Sequence, residues 1–145
     1  MAKEGIWWTA PAEGPGGETI MVTGRDALDV YRESGKYKDR IELSWPYEGG
    51  GMPPVEIQDL MEQADTALKA MLSRNKGAVL TGIYTGAGER TWILYAKSTS
   101  IFQSIINLAW KDLPLLPVRI SAERDPEWHE YAEMRELTYI HPSDD

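Results

Sequence analysis

Cysteine is missing from this sequence. Its absence excludes disulfides, thiolate metal sites and cysteine nucleophiles. Histidine is scarce, with His129 and His141 alone, so neither a Ser–His–Asp arrangement nor a histidine-rich metal site has much to draw on. Phenylalanine occurs once, against six Trp and seven Tyr. Large rings with a polar handle must therefore fill much of the interior or line a surface. No apolar run approaches the roughly 18 residues of a membrane span. The opening MAKEGIWWTA lacks the apolar core of a secretory leader. Positive charge is in deficit, with 15 Lys and Arg against 23 Asp and Glu and a net charge of −8. That balance opposes broad contact with phosphate backbones and anionic membranes. The expectation is a soluble, cytoplasmic protein that works neither on nucleic acid nor at a membrane.

What is present organises around Gly77–Ser98, GAVLTGIYTGAGERTWILYAKS. Ala78–Tyr84 and Glu89–Lys97 form two strand patterns, joined by the turn residues Thr85-Gly86-Ala87-Gly88. Before them, Ile57, Leu60, Met61, Ala64, Leu68, Met71 and Leu72 make one apolar stripe on a helix over Val55–Arg74. Gly77 is expected as its C-terminal cap. After the hairpin, Ser98 is an N-cap for a second helix, with Ile101, Phe102, Ile105, Ile106 and Ala109 inward and Leu113-Pro114 at its end. Arg40–Tyr47 alternates Ile41, Leu43 and Trp45 against Arg40, Glu42 and Ser44, and Pro117–Glu123 alternates in the same way. Ile6–Ala10 and Glu18–Thr23 read as a further hairpin around PAEGPGG, and Arg25–Ser34 as a short helix stopped by Gly35. Asp125-Pro126 starts a last helix, Glu127–Glu136, with Trp128, Tyr131 and Ala132 inward.

The order from Arg40 to Glu123 is βαββαβ, the ferredoxin-like unit of an antiparallel sheet with two helices on one face. The 145 residues are expected to form a single α+β domain. Residues 1–37 hold the N-terminal β-hairpin and a connection, 38–123 the core, 124–137 the C-terminal helix and 138–145 a tail.

The candidate chemistry is thin. Gly86-Ala87-Gly88 joins strand to strand, so it reads as a turn and not as a dinucleotide loop. Gly49-Gly50-Gly51 precedes a helix but lacks the lysine and hydroxyl of a phosphate loop. His129-Glu130-Tyr131-Ala132-Glu133 has a glutamate where a zinc-protease helix needs a second histidine, so His129 reads as an exposed helical side chain. Glu42 and Glu123 share a face with Arg40 and Arg119, which makes a charge ladder a better account than acid–base work. No catalytic, cofactor-binding or metal-binding residue can be named, and no cofactor is implied.

Three landmarks taken together carry a resemblance. They are Gly51-Met52-Pro53, the segment TGAGERTWILY over Thr85–Tyr95, and Asp125-Pro126-Glu127-Trp128-His129-Glu130-Tyr131. In order and spacing the chain resembles the domain of unknown function 695 family of bacterial proteins, over about residues 5–135. The resemblance implies no activity and no catalytic residues. Some members of that family look to be joined to a domain similar to an inhibitor of ribonuclease E, a small acidic ferredoxin-like protein that acts by binding another protein.

The leading expectation is therefore a binding or regulatory domain acting through a protein partner. Its surface is expected at Arg90, Trp92, Tyr95, Asp125, Trp128 and Tyr131. A small-molecule-binding domain or enzyme with an aromatic-lined pocket built from Trp45, Trp92 and Trp128 is a second possibility, and a regulator resembling the ribonuclease E inhibitor a third. A homo-oligomer is also open, since an exposed sheet edge or face can pair with a second copy.

Overall fold

The computed structural model describes residues 6–14, 16–49 and 51–138. The expectations for residues 1–5, Pro15, Gly50 and residues 139–145, His141 among them, lie outside the described residues. In chain order the elements are β1 (Ile6–Glu13), β2 (Thr19–Asp26), α1 (Asp29–Glu33), β3 (Asp39–Pro46), α2 (Val55–Arg74), β4 (Ala78–Gly86), β5 (Glu89–Ala96), α3 (Thr99–Ala109), β6 (Arg119–Arg124) and α4 (His129–Thr138). The protein is α+β, with one six-stranded sheet in the order β1-β2-β4-β5-β3-β6. Every neighbouring pair is antiparallel.

The β4–β5 hairpin lies inside the sheet, with β2 outside β4 and β3 outside β5. Its connection is tighter than the expected four residues. Ala87 and Gly88 alone separate the strands and both have positive φ, 56° and 81°. That is the geometry of a two-residue turn matched to strand twist. Gly86 cannot carry a side chain, because a Cβ there would lie 2.6 Å from the Thr19 carbonyl oxygen of β2.

Two cores follow from the period-two alternation of the strands. On one face, Ile41, Leu43 and Trp45 of β3, with Trp92 and Leu94 of β5, pack under Met61, Ala64 and Leu68 of α2 and Phe102, Ile105 and Ile106 of α3. Ser98 caps α3 as expected, its Oγ accepting the Ile101 N–H at 3.1 Å. Gly77 is not a left-handed cap. Asn75 closes α2 in extended conformation, and Gly77 is required because a Cβ would meet Ile101 Cγ2 of α3 at 2.4 Å.

The opposite face carries the second core, of Trp8, Ala10, Val22, Leu28, Tyr37, Val79, Tyr95, Trp128, Tyr131 and Met134. The N-terminal hairpin extends the sheet beside β4, and α4 packs over β1 and β2. This face stays polar toward β6. Arg40 and Glu42 of β3 are paired at 2.5 Å, and Arg40 stands opposite Glu123 of β6.

Candidate functional site

Trp92, Tyr95, Trp128, Asp125 and Tyr131, five of the six residues expected at a binding surface, are buried. They are also divided between the faces. Trp92 belongs to the core under α2 and α3, whereas Tyr95, Trp128 and Tyr131 belong to the core under α4. The physical reason is the position of β5 inside a sheet covered on both sides, where even and odd residues both become interior. Trp45, Trp92 and Trp128 are at most 1% exposed, so they pack the interior.

Four of these buried residues form a clasp that fastens α4 to the sheet. The Asp125 carboxylate accepts the Tyr95 hydroxyl at 2.7 Å and the backbone N–H groups of His129 and Glu130, each at 3.0 Å. The Tyr95 hydroxyl in turn accepts the Tyr131 N–H at 3.2 Å. Asp125 thus meets the open N–H groups at the start of α4, as a capping carboxylate does. Trp128 stacks on Tyr95 with centroids 4.4 Å apart and planes 21° apart, and its Nε1 donates to the Tyr37 carbonyl at 2.8 Å. The chain turns here with Trp128 at φ 60°, a conformation that costs a bulky residue about 1–2 kcal/mol and persists only where packing enforces it.

Titration follows from the same contacts. Burial pushes the Asp125 carboxyl up, but the bonds from Tyr95, Glu130 and His129 outweigh it and hold the group below its ordinary range. Burial raises the Tyr95 hydroxyl strongly, and adjacent Asp125 adds to the effect. Burial, helped by the Asp26 charge, pushes Tyr131 up to about 12.

Arg90, the sixth expected residue, does reach a cavity. It stands over the Trp92 ring at 5.3 Å and lines a space of about 260 Å³ with Thr9, Thr23, Thr85, Gln58 and Glu62. Burial lowers its guanidinium, partly offset by Asp65 and Glu62. A second cavity of about 270 Å³ is bordered by Trp7, Arg25, Lys69 and Lys76. Lys69 lies 5.0 Å from the Trp7 ring centre and is ion-paired with Asp65 at 3.0 Å.

An apolar stretch of surface lies at the other end of the sheet. Trp110 of the α3 C-terminus, Ile106, Leu113, Leu116, Val118 and Ile120 of β6 line an open groove of about 360 Å³. Leu115 at its rim is fully exposed, and Leu108 and Ile120 are 52% and 40% exposed. The groove adjoins β6, an edge strand whose six residues are all exposed. The sequence signal was the stretch LPLLPV, Leu113–Val118. It is apolar but has neither helical nor strand period, and its prolines keep it out of both neighbours.

Among the described residues no cluster of three or more His, Cys, Asp or Glu is placed to hold a metal ion. None of their helices is long and apolar enough to cross a membrane.

An antiparallel sheet with helices over both faces and a groove-flanked edge strand that pairs with no further strand among the described residues defines an α+β domain of ordinary size. A family model matches residues 15–134, and the chain belongs to that family, the family of unknown function DUF695. No curated protein and no solved structure matches the chain.

Proposed function

We propose that this chain is a cytoplasmic binding or regulatory domain that works through a protein partner, and that the partner engages the β6 end of the sheet. The observation that carries the proposal is the conjunction of a wholly exposed edge strand with an apolar groove beside it. An unpaired edge offers a row of backbone donors and acceptors, and an adjoining groove offers sites for alternate apolar side chains. The net charge of −8 favours a protein partner over a polyanion.

Within the same reading, β3 to β6 constitute a ferredoxin-like βαββαβ unit to which the N-terminal hairpin and α4 are added. What supports this is the order β4-β5-β3-β6 across that part of the sheet and the packing of α2 with α3 over one core.

A photo-crosslinking residue placed at Leu115 tests the docking end, with the exposed Leu137 of α4 as control. The expected outcome is a discrete protein adduct from position 115 alone, lost when Ile120→Asp is added. No adduct at 115, or the same adducts from both positions, contradicts it.

A further inference from the structure

We infer that the partner at this edge is a second copy of the chain, joined β6 to β6 in antiparallel register about Ser121. The inference rests on the reading of β6 as the docking end and specifies what occupies it.

The backbone limits the choice of register. The Asp125 N–H donates to the Lys38 carbonyl at 2.8 Å, so residue 125 turns its polar groups toward β3. Successive strand residues alternate. Arg119, Ser121 and Glu123 therefore also face β3, and Ile120, Ala122 and Arg124 direct their N–H and C=O groups to the open edge. A twofold axis must pair outward-facing residues with outward-facing residues. The registers allowed near the middle of the strand centre on Ile120, on Ser121 or on Ala122.

Side chains choose among these. Centring on Ser121 sets Arg119 opposite Glu123 of the second copy, and symmetry repeats the pair. Neither residue belongs to an ion pair among the described residues, and both are exposed. On the other face the same register sets Ile120 opposite Ala122, extending the apolar groove that ends at Ile120. Centring on Ile120 places Arg119 against Ser121, and centring on Ala122 places Ile120 against Arg124, so both lose the charge match. An isologous contact of this kind closes on itself and does not propagate.

Two six-residue edges with a groove rim make an interface at the small end of the known range, below about 1,200 Å². The dimer is accordingly weak and concentration-dependent. Charged residues on an edge strand also serve to prevent pairing, and the two roles make opposite predictions.

Sedimentation velocity of the purified chain, from micromolar to millimolar concentration, separates them. The expected result is reversible dimerisation, weakened about tenfold or more by Arg119→Glu, because symmetry doubles the loss of a surface pair. The double variant Arg119→Glu with Glu123→Arg restores association. A monomer at every concentration, or dimerisation indifferent to Arg119→Glu, overturns the inference. A monomer that still yields the Leu115 adduct with a foreign protein overturns only the second copy, whereas loss of both overturns the docking end itself.

Discussion

At the residue scale, the segment Asp125–Tyr131 and the ring of Tyr95 form a structural device. Tyr95 donates to Asp125 and accepts from Tyr131, so its hydroxyl bridges a charged capping group and a backbone N–H. Tyr95→Phe removes both bonds while keeping the ring stacked on Trp128. A hydrogen bond to a charged group contributes about 1.5–3 kcal/mol. Urea unfolding should show Tyr95→Phe destabilised by about that amount, and an unchanged midpoint would mean that the clasp contributes nothing. Sequence reasoning recognised the rings, the aspartate as a helix start, and their position on β5 and before α4. It places Trp128 and Tyr131 on the inner side of the last helix and offers the same rings as a candidate surface, because β5 alternates large side chains on both faces and alternation alone does not say which face is covered. The missing information was tertiary. Tyr37, which helps complete the second core, lies between the short helix and β3, where no periodicity marks it.

At the element scale, the strongly periodic segments were legible. Val55–Arg74 is helical to the residue, because its apolar stripe and the flanking Pro54 and Asn75 agree. Boundaries slipped where polar residues continue a ladder. β1 runs on to Glu13, and β2 on to Asp26, since cross-strand bonds there do not depend on side-chain polarity. The β4–β5 turn is two residues shorter than expected, both on the β4 side, because Thr85 and Gly86 continue the ladder opposite Arg90 and Glu89. Ala87 at φ 56° is a non-glycine residue in a position that favours Gly or Asn. Ala87→Gly should stabilise the protein by up to about 1 kcal/mol, measured by chemical denaturation. A loss of stability there would show that the turn departs from the geometry described. The groove escaped detection because it is formed by an aperiodic loop, Trp110 to Val118, closing against β6.

At the scale of the whole molecule, the two-sided sheet predicts how the fold responds to acid. The folded carboxyl of Asp125 lies below its ordinary value, whereas in the unfolded chain it titrates near 3.9. Its stabilising contribution is therefore complete above the unfolded value and is lost as pH falls through the folded one. Urea unfolding of the wild type and of Asp125→Asn should differ most at neutral pH, with the gap closing below about pH 4. A gap independent of pH would place the acid sensitivity elsewhere.

The same scale holds the central claim, that β6 is an edge built to be paired. Since the chain has no cysteine, a single Ser121→Cys substitution reports on the register without background. Ser121 would face Ser121 of the second copy as a non-hydrogen-bonded pair, with Cα atoms about 4.5 Å apart, a separation a disulfide spans. Oxidation of Ser121→Cys should give a covalent dimer at least about tenfold faster than Ala122→Cys, whose symmetry mate is a diagonal neighbour roughly 7–8 Å away. Equal and slow cross-linking of the two variants would contradict the account.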